Sequence, residues 1–225
     1  MKVYTMINIL LAIVALFFAF LITRAILRPE KYKVVYLQRT EEVRARLVTI
    51  RAAQAVYRNE YKKYAGDIDT LVEFVNNGVV HIVQISGNIP EEMTENEAFK
   101  QGLIKKTVET YPAKTRIVNS DPNVTDESLK SFQFIPHTNN KKFEIQLGEI
   151  YGKTYTIPVY RVEVPLEDIL ANIDQTISNK TTNFWGLFFN KLFYNNLDKD
   201  TQYIANYPPM WLGSLTEAST SGSWE

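Results

Sequence analysis

Only two residues of this 225-residue chain, His81 and His137, carry an imidazole, and the chain has no cysteine. The lack of cysteine excludes thiolate metal sites, disulfides and cysteine nucleophiles. His81 lies within an apolar run and His137 follows a proline, and their spacing does not suggest a shared metal ion. We therefore predict that each histidine is either hydrogen-bonded within the fold or exposed to solvent.

The acidic residues give no clearer sign of a catalytic or metal site. Asp67 and Asp69 resemble half of a calcium-binding pattern, but helix capping explains both residues without an ion. Pairs such as Glu163 and Glu167 are ordinary surface residues, and their spacing does not suit acid–base catalysis. The sequence has no GxSxG, Walker, Rossmann or HExxH motif. We predict a protein that is not an enzyme, with no catalytic residue, no cofactor and no metal ion.

Composition indicates a folded chain without a preference for nucleic acid. Its 25 basic and 25 acidic residues cancel, so no overall field attracts a polyanion. A hydrophobic content of 45% and an aromatic content of 12% are typical of a chain with a packed core. The length allows one medium domain with a membrane segment, or two small domains.

A membrane segment is the element that the sequence predicts most clearly. Residues 3–23 contain no charged residue, and a helix of this length crosses a hydrocarbon core about 30 Å thick. No small-residue cleavage site follows it, so residues 1–28 are predicted to be a permanent single-span anchor in contact with membrane lipid. Five basic residues lie between positions 24 and 39, and the positive-inside rule applied to them predicts a cytoplasmic C-terminal part.

Residues 29–78 are predicted to form a long stalk helix and a short second helix. One apolar stripe at helical spacing is formed by Val43, Leu47, Ile50, Tyr57, Tyr61 and Tyr64. Gly66 is placed to end the long helix. Asp67 is placed to cap the second helix, which should end at Gly78. We expect the stripe to face the protein's own sheet or a neighbouring helix.

Residues 79–182 are predicted to be an antiparallel β-rich domain. Residues 79–86 are apolar, β-branched and bracketed by glycines, which predicts a strand. Thr94 and Glu97 have the spacing of a capping box at the start of a short helix. Residues 102–113 and 115–118 alternate weakly and are candidates for edge strands, and another short extended segment is predicted at residues 131–137.

The strongest β signal is a predicted hairpin over residues 142–165. Phe143, Ile145 and Leu147 alternate with polar residues, and a second alternating run follows a turn near Gly152. Pro158 lies within the second run, and proline cannot donate to a strand ladder. We therefore expect this strand to lie at a sheet edge or to carry a bulge.

Residues 183–225 are predicted to be an aromatic segment and a C-terminal tail that pack on or near the domain. Phe184, Trp185, Phe188 and Phe189 are candidates for core packing, partner contact or insertion into a bilayer interface. The near absence of cations in this segment weakens the lipid interpretation. Trp224 is costly to leave in water, so we expect the tail to be held against the fold.

The order of these elements resembles that of type IV pilins and pseudopilins. The rhythm at the end of the pilin long helix is matched by Ala53, Tyr57, Tyr61, Tyr64, Gly66 and Leu71. The resemblance implies an α+β fold in which an N-terminal transmembrane helix continues into a long amphipathic helix packed on a small antiparallel sheet. The chain has no prepilin cleavage motif, so we expect neither prepilin-peptidase processing nor polymerisation in the usual pilin register.

Three further motifs resemble a set of uncharacterised single-span envelope proteins of Bacteroidota. They are R-x-x-x-I-R-x-A-Q-x-x-Y at residues 46–57, a KFEIQLG…IPVYRVEV hairpin at residues 142–164, and GSLTEASTSGSW at residues 213–224. This resemblance covers most of the chain. It implies a place in the cell envelope but no activity.

From these observations we expect a non-enzymatic, membrane-anchored structural or assembly subunit of a bacterial envelope complex, of the pilin-like or secretion and motility type. We expect it in the inner membrane with a periplasmic C-terminal domain, although the charge bias favours the cytoplasm. Expected partners are other envelope proteins or further copies of the chain, and not nucleic acid. The alternative is a ligand-binding or sensory ectodomain with a cleft lined by the sheet and residues 184–194.

Overall fold

The computed structural model describes residues 2–91, 93–173, 188 and 207–225. These residues form helices and small antiparallel sheets, which confirms the predicted α+β class. They divide into two compact units. The first unit contains the described residues of Met1–Val43, Ile135–Asn140 and Val164–Met210, and the second contains those of Arg44–Phe134, Lys141–Glu163 and Trp211–Glu225.

The first helix, α1, runs from Lys2 to Tyr61. Its stretch Val3–Thr23 has a mean hydropathy of 2.7, and 0% of it is buried by other parts of the described chain. This stretch is long and apolar enough to cross a membrane. The prediction of one N-terminal apolar helix is therefore confirmed.

The apolar stripe of α1 belongs to the core. Val43, Leu47, Ile50 and Tyr57 are all buried, with at most 8% of each residue exposed. Tyr61, one turn further along, is 49% exposed. The stripe was predicted to be covered, and these burials confirm that prediction up to Tyr57.

The prediction that Gly66 ends the long helix is wrong. The helix ends at Tyr61, and Lys62 adopts a left-handed φ of 62° while its N–H donates to the carbonyl of Arg58 at 2.8 Å. A lysine therefore occupies the position that glycine usually takes, at a conformational cost of about 1 kcal/mol. Gly66 instead allows Leu147 to pack closely against the backbone, because a Cβ atom at Gly66 would lie only 3.3 Å from Cδ1 of Leu147.

The second helix, α2, confirms both predicted boundaries. It spans Ile68–Asn77, and the carboxylate of Asp67 accepts a hydrogen bond from the N–H of Thr70 at 2.7 Å. At the other end the N–H of Gly78 donates to the carbonyl of Phe74. The ring of Phe74 meets the ring of Tyr57 edge-on at 5.1 Å, so α2 packs against the end of α1.

Two strands and a short helix follow α2 and form a two-stranded antiparallel ribbon. Strand β1 spans Val79–Gly87, helix α3 spans Glu95–Lys100 and strand β2 spans Ile104–Pro112. The capping box of Thr94 and Glu97 at the start of α3 is present as predicted. We refer to β1 and β2 together as the ribbon.

The predicted extended segment at residues 115–118 is wrong, because helix α4 spans Ala113–Val118. Pro112 ends the strand by removing a backbone donor. Ala113 and Ile117, four residues apart, are then both fully buried on one side of a helical turn. A segment of six residues is too short to show this periodicity in the sequence.

The second sheet contains the predicted hairpin and a short strand from the C-terminal region. Strand β3 spans Ile145–Tyr151, β4 spans Thr156–Val164 and β5 spans Met210–Gly213, in the order β3–β4–β5. The N–H of Gly152 donates to the carbonyl of Tyr155 at 2.8 Å, which confirms the predicted turn.

Two further predictions in this region are wrong. Strand β4, which contains Pro158, lies at the centre of its sheet rather than at an edge. The four residues of β5 are too few to cover all nine residues of β4, so one end of β4 tolerates a missing backbone donor. Residues 131–137 form turns with a single bridge from Phe134 to Lys142, and no strand.

In the first unit, a buried arginine holds the end of helix α5, which spans Leu166–Ile169. Arg39 is 1% exposed, and its Nη1 donates to the carbonyls of Ile169 at 2.9 Å and Ala171 at 2.6 Å. These carbonyls lie at the end of the helix, where backbone acceptors lack helical partners and cations are favoured. The prediction of helical turns after Pro165 is confirmed.

The C-terminal tail in the second unit is held in place, as predicted. The N–H of Gly213 donates to the carbonyl of Ser221 at 2.8 Å, and the N–H of Ser223 donates to the carbonyl of Trp211 at 2.9 Å. The carboxylate of Glu225 also pairs with Arg51 of α1. The side-chain hydrogen bond from Arg51 lowers the pKa of Glu225.

Candidate functional site

Both histidines are paired with glutamates of α1, which confirms that they are satisfied within the fold. In the first unit, Nε2 of His137 lies 2.6 Å from Oε2 of Glu42. In the second unit, Nδ1 of His81 lies 2.7 Å from Oε1 of Glu60, and the backbone N–H of His81 donates to Oε2 of Glu60 at 3.0 Å. The backbone hydrogen bond is the main cause of the lowered pKa of Glu60.

The two aspartates that resembled a calcium pattern are engaged within the fold. Asp67 caps α2, and the hydrogen bond from the N–H of Thr70 is the main cause of its lowered pKa. Asp69 forms an ion pair with Lys142, at 2.6 Å and 2.8 Å from its two carboxylate oxygens. Within the described ranges, no group of three or more His, Asp or Glu side chains could hold a metal ion.

The residues predicted to pack or to contact partners fall into two groups. Val43, Leu47, Ile50 and Tyr57 are buried, so they pack the protein's own interior and are not accessible to another molecule. Phe184, Trp185 and Phe189 lie outside the described residues. Phe188 is described and is 49% exposed.

One exposed apolar surface of the second unit lies on the ribbon. Val83 and Val108 face each other across the two strands and are 54% and 58% exposed. Residues that pair directly across an antiparallel sheet share one face, and that face repeats every second residue. Val79 and Ile85 lie on the same face and are also exposed. We call these four residues the apolar ribbon face.

The two ends of the ribbon are fastened to the rest of the second unit. Near the start of β1, Val80 is 5% exposed and lies on the face opposite the apolar ribbon face. At the far end, α3 covers the start of β2 on the same side as the apolar ribbon face: Ile104 is buried, and Nζ of Lys106 lies 2.7 Å from Oε1 of Glu95 and 5.4 Å from the ring centre of Phe99. The middle of the ribbon is left exposed on both strands. Isolated aliphatic residues at a surface are ordinary, but a contiguous patch on one strand pair is typical of an interaction surface.

The direction of the backbone groups on the ribbon follows from two hydrogen bonds. The N–H of His81 donates to Glu60 instead of to its strand partner Thr110. The N–H of Ala113 donates to the carbonyl of Gly78, one pair beyond the last strand pair. In an antiparallel ladder, pairs alternate between exchanging hydrogen bonds and turning their backbone groups outward. The backbone groups of Lys106, Val108 and Thr110 therefore point away from β1.

A small groove at the junction of α1 and α2 is the second candidate site. It has a volume of about 240 Å³ and is lined by Tyr57, Tyr61, Thr70, Glu73, Phe74, Asn77 and Gly78. The rings of Tyr57 and Tyr61 lie 4.6 Å apart, and that of Phe74 is 5.8 Å from that of Tyr61. Among the described residues, no ion pair is formed by Glu73. Aromatic rings beside a carboxylate suit a small organic cation.

Sequence reasoning identified β1 as a strand but missed the ribbon as a surface. The run at residues 79–86 is apolar at successive positions, a pattern typical of a strand buried on both faces. The available signal was in β2, where Lys105 and Glu109 fall on one face of the strand and Lys106 on the other. Such a strand cannot bury both faces, so its partner must also be exposed on one side.

No protein-family model, curated protein or solved structure matches this chain. The functional assignment therefore depends on the residues described above and on their contacts. They define a protein with a membrane-competent helix, an α+β fold and an exposed apolar ribbon.

Proposed function

We propose that this protein is a non-enzymatic, single-span membrane protein that serves as a structural or assembly subunit of a bacterial envelope complex. The observation that carries the proposal is the uncovered apolar ribbon on a chain whose first helix can cross a bilayer. Burying exposed aliphatic surface favours association by roughly 25 cal/mol per Å². A protein that is already tethered to a membrane meets its partners at a raised effective concentration, so even a small surface suffices.

The state of the titratable groups supports a structural role over a catalytic one. The imidazoles of His81 and His137 are each engaged by a glutamate, Asp67 is engaged by a helix N-terminus, and Asp69 by a lysine. Each of these contacts stabilises local structure.

The resemblance to pilins and pseudopilins supports a periplasmic, pilin-like domain in the proposal. The continuity of α1 from the apolar stretch into the buried stripe agrees with the element order of that group. The basic residues at positions 24–39 favour the opposite orientation.

A topology reporter fused after Glu225 tests the placement. Alkaline phosphatase is active only in the periplasm. Green fluorescent protein does not fluoresce well after export through the general secretory route, so its fluorescence indicates a cytoplasmic C-terminus. We expect activity from the phosphatase fusion and no fluorescence from the other. The reverse result would overturn the periplasmic placement.

Co-purification tests the assembly role. Full-length protein extracted from membranes in a mild detergent should migrate as an oligomer or with stable partners on a native gel. A strictly monomeric protein with no stable partner would overturn the assembly role.

The second candidate function is a ligand-binding or sensory ectodomain, and the groove beside Tyr61 is the observation that favours it. Its volume of about 240 Å³ falls below the range of roughly 300–1,000 Å³ that is usual for ligand sites, which is why it ranks second. Titration calorimetry with choline as a probe cation tests it. Saturable binding that is lost in Tyr61→Ala would support this function, and no heat with the unaltered protein would overturn it.

A further inference from the structure

We propose that two copies of this chain pair through the outer edges of their β2 strands, so that the two ribbons form one four-stranded antiparallel sheet. The strand order would be β1–β2 of one copy followed by β2–β1 of the other. This inference rests on the proposed assembly function and supplies its partner and its surface. A two-stranded ribbon is marginally stable by itself, whereas three or more strands form a stable sheet.

The outer edge of β2 offers a complete set of backbone hydrogen-bonding groups. The N–H and C=O groups of Lys106, Val108 and Thr110 point away from β1. Among the described residues, no hydrogen bond reaches these groups. Unpaired strand edges of this kind are templates for the addition of another strand.

The outer edge of β1 is less suitable because a side chain already occupies it. Glu60 accepts the outward N–H of His81 through one oxygen and lies beside the imidazole of the same residue through the other. A strand approaching β1 would have to displace this carboxylate. The edge of β2 has no such obstruction among the described residues, so pairing is expected there.

The symmetry of the pair restricts the register. The outward groups of one strand must face the outward groups of the other, so the axis must pass through a residue of β2, and near the middle of the strand these residues are Lys106, Thr107, Val108 and Glu109. Crossing at Glu109 places two glutamates opposite each other, which is unfavourable. Crossing at Lys106 places two lysines opposite each other, which is unfavourable. Crossing at Val108 places Lys105 opposite Tyr111 and leaves no pair of opposite charges.

Crossing at Thr107 is the one register with charge complementarity. It places Lys105 of each copy opposite Glu109 of the other, so the favourable pair forms twice. Lys105 is exposed and forms no ion pair with the described residues. Glu109 accepts hydrogen bonds from Gln84 and Tyr111 at its Oε2, which orients the carboxylate and leaves Oε1 for the incoming ammonium.

The same register also gives suitable neighbours to the uncharged residues. Thr107 meets its own copy on the symmetry axis, and threonine pairs are favourable across antiparallel strands. Val108, now 58% exposed, would lie opposite Lys106 of the other copy. The methylene stem of a lysine covers apolar surface while its ammonium remains in water.

A cysteine at the axis tests the register directly, because the unaltered chain has none. Residues at a non-hydrogen-bonded antiparallel pair have Cα atoms about 4.5 Å apart, within the range of a disulfide. We expect full-length Thr107→Cys in detergent to form a disulfide-linked dimer on mild oxidation. Ser86→Cys is the matched control: it is an exposed position on β1, and in the proposed sheet its two copies lie about 14 Å or more apart, across three strand spacings.

Each outcome of this experiment decides a separate question. Dimer from Thr107→Cys and little from Ser86→Cys supports the β2 pairing. Equal dimer from both variants overturns it. If the unaltered protein migrates as an oligomer but Thr107→Cys gives no dimer, the β2 pairing is wrong and the assembly function stands. If the unaltered protein is a monomer without partners, both are overturned.

A charge exchange provides a second test that does not depend on disulfide geometry. Lys105→Glu places a carboxylate opposite Glu109 of the other copy at both symmetric positions. We expect about tenfold weaker dimerisation in light-scattering measurements. The double variant Lys105→Glu, Glu109→Lys should restore it, while Lys63→Glu, an exposed lysine elsewhere in the second unit, should leave it unchanged. Failure of the double variant to recover, with a melting temperature equal to that of the unaltered protein, would overturn the proposed register.

Discussion

Tyr160 is a polar residue in the core of the second unit. It is 1% exposed, and its ring lies 4.6 Å from that of Tyr64. Among the described residues its hydroxyl has no hydrogen-bond partner. Burial raises the pKa of this hydroxyl well above its usual range. The ring therefore stabilises the core while the hydroxyl opposes it.

We expect Tyr160→Phe to leave the protein as stable as before or to stabilise it by about 1 kcal/mol, because it removes a buried unsatisfied group and keeps the ring. Chemical denaturation of the full chain in detergent measures the change. Tyr64→Phe is the matched control, since the Tyr64 hydroxyl accepts a hydrogen bond from Arg58 at 3.0 Å, and its loss should destabilise the protein. A loss of stability in Tyr160→Phe would indicate a partner for the hydroxyl.

Gln54 shows which residue roles the sequence does not reveal. Its amide is fully buried and pairs with both backbone groups of Ala65: Oε1 accepts the N–H at 2.9 Å and Nε2 donates to the carbonyl at 3.0 Å. This contact ties the segment after α1 back to the helix. Gln54 belongs to a motif that was recognisable in the sequence, but the partner of a buried amide depends on a loop whose path no local pattern predicts.

Four carboxylates make the stability of the second unit sensitive to acid. The pKa values of Glu60, Asp67, Glu97 and Glu225 are all lowered in the folded protein, mainly by hydrogen bonds from His81, Thr70, Thr94 and Arg51 respectively. The unfolded chain therefore binds more protons than the folded one at mildly acidic pH. Stability from these groups is complete above the unfolded pKa values of about 4 and is lost as the pH falls through the lower folded values.

We expect the melting temperature to fall steadily below about pH 4.5. Asp67→Asn keeps a good N-cap but cannot titrate, so its melting temperature should fall less steeply with acid than that of the unaltered protein. Thermal denaturation between neutral and acidic pH measures both slopes. Identical slopes would mean that Asp67 does not contribute to the acid response.

At the scale of elements, the sequence predicted those with a strong local signal. The apolar stretch, the buried stripe, the caps of α2 and α3 and the hairpin near Gly152 all follow from periodicity, capping chemistry or turn residues. The wrong predictions have different causes. Lys62 adopts its left-handed conformation with local hydrogen bonds to Arg58 and Asn59, and α4 is too short to show a period. The position of β4 depends on β5, which comes from a distant part of the chain.

The candidate site could be predicted only in part. The charged residues of β2 are visible in the sequence, but the exposure of the strand depends on which of its faces the rest of the second unit covers. The aromatic residues that drew attention in the sequence, Phe184, Trp185 and Phe189, lie outside the described residues, so their role stays a prediction. The stripe residues Val43, Leu47, Ile50 and Tyr57 were predicted to be covered, and they belong to the core.

Two leucines on α1 allow the contribution of the stripe to core packing to be measured apart from the helix propensity of leucine. Leu47 is fully buried, whereas Leu37, three turns earlier, is 53% exposed. We expect Leu47→Ala to cost about 3 kcal/mol through lost burial and a cavity, and Leu37→Ala to cost about 0.5 kcal/mol or less. Chemical denaturation of each variant measures the two costs. Equal small losses would show that the stripe does not support the fold.

At the scale of the whole molecule, the proposals join a membrane-competent helix to a surface that recognises its own copy. Confinement to a bilayer raises the effective concentration of each copy for the other. A short strand edge with two charge pairs, weak in free solution, can then be sufficient. The apolar ribbon face lies on the same side of both copies in such a sheet, so pairing also enlarges the surface available to another protein.

Glu60 limits this assembly because it occupies the outer edge of β1. Glu60→Ala removes the carboxylate that accepts the N–H of His81, and we expect β1 edges to become available to further strands. The variant should form species larger than the dimer, detected by light scattering and by thioflavin fluorescence, while Glu73→Ala, which leaves β1 unchanged, should not. Dimers of unchanged size in Glu60→Ala would show that the β1 edge is closed by something else.

The contact between Glu60 and His81 has a further consequence for copy number. A sheet that can add a strand at the β2 edge but not at the β1 edge stops growing after one pairing. Copies linked this way therefore form pairs and never an open-ended fibre. Any larger envelope complex would have to count its subunits in even numbers at this junction. The carboxylate of Glu60 would thus determine how many copies this junction can join.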